Sequence, residues 1–249
     1  MPLFGTLDID AALAASPTLD NLAPDTWELS GASVLQVSYE VNEDPALALT
    51  PPALHPSIPP YATFSFLRCP ESPVGPFTLA MVRLVVRAGI RPRALLLQAF
   101  VDNPAAADGL RSGWGYRVRE ADVQLSRRHD RIVGTVSIDG RVALDARLDD
   151  PEPIAGADLE LFDNLHLVNV AGQEPVIVQV DPGYEYRSAD RGQADLVAYD
   201  AELLGVVGLE PVYRLIGVAC DADIELAAPR FVMDPTEAAV RSTRRLQTS

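Results

Sequence analysis

The chain has no lysine. All 20 of its basic side chains are arginines, set against 35 aspartates and glutamates, which leaves a net charge of −15 over 249 residues. That balance excludes nucleic acid, whose phosphates need a basic face, and anionic membrane surfaces for the same reason. No basic residue precedes Arg68. A secretory leader needs a basic region ahead of an apolar run, and a membrane-spanning helix needs a longer apolar run than any here, so a cytoplasmic protein is expected. Cysteine is scarce. Cys69 and Cys220 make no disulfide framework and no metal-ligand spacing, and read as buried thiols in a reducing compartment. His55, His129 and His166 are spread apart, so no metal is expected. Nucleophile elbows of the Gly-x-Ser-x-Gly type and phosphate-cradling glycine loops are absent, and no cofactor is expected.

What is present is a β pattern. "SVLQVSYEV" alternates apolar and polar side chains, and "YATFSFLRC", "FTLAMVRLVVRAG" and "RALLLQAFVDN" read as three further strands with "AGIRP" as the turn between the last two. "RIVGTVSIDGRVALDARL" is a hairpin, because Asp139-Gly140 suits a type I′ turn. "LELFDNLHLVNV", "PVIVQV", "ADLVAYD" and "VYRLIGVACDADIELA" continue the strands. "LTPPALHPSIPP" carries five prolines in twelve residues and reads as a long structured connection. A few peripheral helices are expected, two of them at the ends. One covers "DIDAALAAS" with Asp8 or Asp10 as cap; the other follows Asp234, with Pro235 at its first position and Glu237 completing the cap. "LRSGWGYRVRE" reads as a loop. The fold class is α+β, predominantly antiparallel β, in one domain over residues 1–249, with an acidic N-terminal segment (1–30) and a flexible basic tail (241–249).

"VDNPAAADGLRSGWGYRVRE" resembles the acetoacetate decarboxylase family. The resemblance rests on Asp102-Asn103, followed at the family's interval by Arg111, the Trp114-Gly115 pair and Tyr116. The hairpin "RIVGTVSIDGRVAL" and the run from "ADLVAYD" to Arg230 also look like the family's, so the resemblance extends from about Tyr61 to Arg230. It implies a β-cone or barrel with an internal pocket and a homo-oligomer. It also implies a lysine that forms a Schiff base with a keto group, and here the sequence departs. The nucleophilic lysine's position falls on Val118 and the next lysine's on Arg119. The preceding proline falls on Arg117, the glutamate of the Arg-Glu pair on Ser112, and an upstream functional glutamate on Leu79. A guanidinium stays protonated and is a very poor Schiff-base nucleophile, and valine and leucine carry no chemistry. Iminium-assisted decarboxylation on a lysine is therefore excluded.

Other groups remain. In an extended segment Glu120 shares a face with Val118, so it is expected either to line the pocket as a general acid or base or to be solvated if the strand twists outward. Arg83 lies on the face of β-rich "FTLAMVRL" that carries Leu79. It is expected to meet a carboxylate, from Glu120 or from a ligand, or to snorkel out at the strand end. Tyr116 is expected either to hydrogen-bond a ligand carbonyl or to serve as packing, Arg117 to anchor an anion at the mouth, and Gln98 needs a partner if buried. If Met1 is removed, Pro2 supplies the one remaining amine. Two functions fit: a lysine-independent enzyme of dehydration, cyclisation or isomerisation on a keto- or polyketide-derived small molecule, or a non-catalytic binding protein that keeps the pocket.

Overall fold

The computed structural model describes residues 3–89 and 92–246. Helix α1 (Ile9–Leu13) is followed by β1 (Thr18–Leu19), β2 (Trp27–Val41), α2 (Glu43–Leu49), β3 (His55–Pro56), β4 (Tyr61–Cys69), β5 (Phe77–Arg87) and β6 (Pro92–Val101). Then come α3 (Pro104–Trp114), β7 (Val118–Glu120), β8 (Asp122–Arg127), β9 (Arg131–Ile138) and β10 (Arg141–Pro153). A 3-10 turn (Gly156–Asp158) leads to β11 (Asn164–Val170), β12 (Val176–Val180) and β13 (Gly183–Tyr199). The chain ends with α4 (Ala201–Leu204), β14 (Pro211–Leu226), β15 (Phe231–Met233), α5 (Ala239–Ser242) and β16 (Arg244–Arg245).

The strands form one mostly antiparallel sheet, in the order β16-β15-β12-β11-β6-β5-β4-β2-β14-β13-β10-β9-β8. Its two ends do not pair, so the expected cone is open rather than closed. Its central strands are covered on both faces. Leu35 and Val37 of β2, Phe64 and Phe66 of β4, and Val82 of β5 share one core with Leu125, Ile132 and Val136, because β8 and β9 fold back over them. Gly134 allows that approach: a Cβ there would lie 2.4 Å from the Phe66 ring. On the opposite face Val34, Leu67, Leu79 and Met81 pack with α3 through Leu110 and Trp114 and with the far end of β14 through Ile224 and Leu226.

The Asp139-Gly140 turn is as expected, with φ of 51° and 75° at its two central residues, the type I′ signature. Asp8 caps α1 by accepting from the Ala11 N–H. Residues 90 and 91 of "AGIRP" lie outside the described residues.

Three local expectations are corrected. Leu110–Trp114 is the end of a helix, not a loop. Asn103 Oδ1 accepts from the N–H groups of Ala105 and Ala106, Pro104 opens the first turn, and Gly115 closes it at φ 72°, a complete set of start and stop signals. The helix expected after Asp234 shrinks to α5. Asp234 spends its carboxylate on Thr236, whose N–H and hydroxyl it accepts at 2.7 Å each, and so closes a turn instead. The basic tail does not start as a free end: Arg244 and Arg245 pair with β15.

Candidate functional site

Cross-strand pairing sets up the site. On the α3-facing side of the central sheet, β2, β4 and β5 place Val34, Leu67 and Leu79 in one row, Gln36, Ser65 and Met81 in the next, and Ser38, Thr63 and Arg83 in a third. The face therefore passes from apolar to polar along the strands. A cavity of about 40 Å³ lies over it, lined by Leu79, Met81, Gln36, Ser65, Arg83 and, from across the space, Tyr116, Phe162, Asn164 and Tyr184 among others. That is room for about three water-sized groups.

Arg83 organises this cavity. It is 4% exposed. Its Nη1 donates to the Phe162 carbonyl at 3.0 Å and to Asn164 Oδ1 at 2.7 Å. Its Nη2 donates to Gln36 Oε1 at 2.8 Å and to the Ser65 hydroxyl. All four acceptors are uncharged. The Nε–H has no partner among the described residues. Burial pushes the guanidinium's pKa down, opposed by Tyr184, Tyr116 and Asp163 nearby, and arginine still keeps its proton. A buried cation satisfied mainly by dipoles, with one donor left, is matched to an incoming oxygen anion.

Two phenols flank it. Burial raises the Tyr116 hydroxyl to about 12, against the Arg83 charge and a hydrogen bond from Asn164. Burial also raises Tyr184, again against Arg83. Both stay protonated as donors near neutral pH. No carboxylate lines the cavity among the described residues.

Of the side chains expected here, Leu79, Arg83 and Tyr116 line the cavity. Val118 is buried in the same apolar cluster without lining it. Arg117 points the other way and lines a separate depression with His166 and Gly115, because it sits between the inward Tyr116 and Val118. Gln98 is buried and donates to the carbonyls of Ala99 and Arg117 at 3.0 and 2.9 Å, which ties β6 to the start of β7. Glu120 is exposed. It does not follow Val118 inward because β7 is three residues long, pairs only with β6, and turns at Ala121 into β8. Pro2 lies outside the described residues. Among the described residues no group of three or more His, Cys, Asp or Glu side chains is arranged to hold a metal ion.

His166 is a site neighbour that sequence reading passes over. It is buried, its ring meets that of Tyr116 edge-on with centroids 4.4 Å apart, and its Nδ1 lies 2.7 Å from the Trp114 carbonyl. Facing a carbonyl, Nδ1 must be the donor, so Nε2 is a bare acceptor, and it has no partner. Burial holds its pKa down at about 4. The unfolded chain takes up this proton near pH 6.5 and the folded chain only near 4, so stability falls as pH drops through that window. Between pH 6.5 and 5 the loss from this group is roughly 2 kcal/mol. His166→Asn, which can still donate to the Trp114 carbonyl, is expected to flatten the denaturant midpoint between those two pH values; an unchanged slope would show that His166 is not buried neutral.

The acetoacetate decarboxylase family model matches residues 11–197. No curated protein matches the chain. Among solved structures, the acetoacetate decarboxylase of Legionella pneumophila superposes with a TM-score of 0.72 at 18% identity, over 83% of this chain and 86% of that one. The enduracididine biosynthesis enzyme MppR complexed with pyruvate gives 0.67 at 20% identity, over 84% and 90%. An acetoacetate decarboxylase-like enzyme from Sphingomonas wittichii RW1 gives 0.64 at 15% identity, over 91% and 96%.

Proposed function

The chain belongs to the acetoacetate decarboxylase family, and from that premise we propose that it is a lysine-independent member acting on a small keto- or polyketide-derived acid. The observation that carries this reading is the buried Arg83, whose four terminal contacts are all neutral and whose Nε–H is unmatched. In this reading Arg83 and the hydroxyls of Tyr116 and Tyr184 hold the carboxylate or enolate oxygen. Donors fixed in a buried cavity stabilise a developing oxyanion without reorganising. A cavity without a carboxylate base suits substrates whose own carbonyls acidify the proton to be lost enough for a water molecule to take it. Cyclisation, dehydration or isomerisation of a 1,3-dicarbonyl acid fits that demand. Solved relatives with the same fold include MppR bound to pyruvate, an acid with a keto group. Glu120 is left out of the chemistry by its exposure.

The test is calorimetric titration with acetopyruvate, followed by borohydride treatment and peptide mass mapping. Saturable binding, weakened about tenfold or more in Tyr116→Phe and with no reduced adduct on any internal residue, is expected. An adduct on an internal side chain sinks the reading. The second function, a binding protein without turnover, is favoured by the same lack of a carboxylate in the cavity; acetopyruvate recovered unchanged after saturable binding would decide for it.

The reading includes assembly as a homo-oligomer in the cytoplasm. Val212 and Tyr213 stand 56% and 69% exposed at the start of β14, apolar side chains of the kind that mark protein contacts. Light scattering at micromolar concentration is expected to give at least twice the chain's 26.8 kDa; a monomer would refute it.

A further inference from the structure

Three buried polar atoms without a hydrogen-bond partner fall in one cross-strand row: Ser38 Oγ, Thr63 Oγ1 and Arg83 Nε. Ser38 pairs with Thr63 across β2 and β4, and Thr63 pairs with Arg83 across β4 and β5. Directly opposed residues share a face with Cβ atoms about 5 Å apart, so the row is a polar track about 10 Å long. Unpaired buried polar groups are rare because each costs stability, and three in register are hard to account for by packing.

Arg83, at one end of the row, lines the first cavity, and Thr63, in the middle, is fully buried and lines neither space. A second chamber, about 240 Å³, is lined by Ser38, Tyr61, the carboxylates of Asp158 and Glu160, Arg191 and the apolar Leu215, Ile216 and Val218 of β14, and shares Gln36 and Phe162 with the first. It is six times roomier than the Arg83 cavity. Its wall on that side is the segment after the 3-10 turn, whose carbonyls are held from the sheet: Gln36 Nε2 donates to the Glu160 carbonyl at 3.1 Å, and Arg83 to that of Phe162. Tyr61 closes the far side, its ring edge-on to Phe162 with centroids 5.9 Å apart. Its hydroxyl is raised to about 12 by burial and by Glu160, so it remains a donor. Hydroxyls that both donate and accept, beside carboxylates and an arginine at the rim, match a hydroxylated group better than an ion of either sign.

We propose that this chamber is a second subsite, and that the substrate is an acid with a polyhydroxylated or similarly oxygenated tail. Its carboxylate end sits at Arg83, and its tail crosses beside Gln36 and Phe162, which both spaces share, to reach Ser38 and Tyr61. This rests on the Arg83 reading and adds the length and chemistry of the substrate. The inner cavity takes only the head of such a molecule, which is why the body needs the outer one.

The probes are pyruvate, a keto-acid head alone, and 2-keto-3-deoxygluconate, the same head with a hydroxylated tail. Calorimetry on the full chain is expected to show the longer acid bound at least tenfold more tightly. Ser38→Ala and Tyr61→Phe are expected to cut that preference about tenfold in the pair, with little change in melting temperature, since each removes a hydroxyl from the chamber's lining and keeps the packing. The subsite is overturned if the parent binds the two acids equally or the longer one not at all, if the preference survives both substitutions, or if both affinities fall together as a structural role would require. Arg83→Gln separates the two ideas: it is expected to weaken both acids, and if it weakens neither, the underlying reading of Arg83 fails whatever the hydroxyl variants do.

Discussion

Arg83→Met is expected to abolish ligand binding, by at least a hundredfold in Kd, and to lower stability by about 3 kcal/mol. The first figure follows from truncating one side of a buried charge pair, which typically costs about 2–5 kcal/mol. The second follows from the four acceptors the substitution strands: Gln36 Oε1, Asn164 Oδ1, the Phe162 carbonyl and the Ser65 hydroxyl. Each orphaned buried group costs about 1–3 kcal/mol, partly offset by removing a cation that burial disfavours. Arg83→Gln, which keeps some donors, is expected to lose less stability and nearly as much affinity. Binding measured below the melting temperature of both variants checks the first figure, and urea titration the second. A fully stable methionine variant that still binds would mean that the guanidinium is an incidental filler.

Trp114→Ala is expected to have the largest effect on the fold, about 4 kcal/mol, or on the order of 10 °C in melting temperature. Trp114 is 1% exposed. Its Nε1 donates to the Ala227 carbonyl at 2.8 Å, its ring meets Trp27 edge-on at 5.1 Å, and its carbonyl takes the His166 proton. It thus joins the end of α3, the strand bearing His166 and the N-terminal part of β2. Trp114→Phe, which keeps most of the volume and loses the Nε1 bond, is expected to lose about 1–2 kcal/mol. Equal losses in the two variants would show that the hydrogen bond, not the packing, dominates.

Strands bounded by clear turns were legible, and β4 begins and ends where "YATFSFLRC" does, whereas only the end of β13 (Gly183–Tyr199) reads as a strand, in "ADLVAYD". Helix α3 was legible too, but only when read forward from Asn103; starting at Leu110 hides the cap and leaves a glycine-rich, aromatic segment that looks irregular. The site was legible on single strands. Arg83 and Leu79 lie on one face of β5 by alternation alone, and Tyr116 follows from the resemblance. The partners of Arg83 were not. Gln36 and Ser65 occupy the polar positions of alternating strands, which ordinarily face water. Here the central sheet is covered on both faces, so the same alternation separates an apolar core from a polar cavity. Asn164 and Tyr184 arrive from strands far along the chain, and nothing local marks them. Glu120 shows the reverse error: period-two reasoning needs a strand that continues, and β7 stops there.

The account stands most directly on where an acid binds and whether it becomes covalently attached. A crystal structure of the protein soaked with acetopyruvate is expected to show the ligand unattached to any side chain, with a carboxylate or enolate oxygen about 3 Å from Arg83 Nε and a second contact to the Tyr116 hydroxyl. Density continuous with a side chain, acid seated away from Arg83, or a cavity left empty at saturating concentration would contradict it.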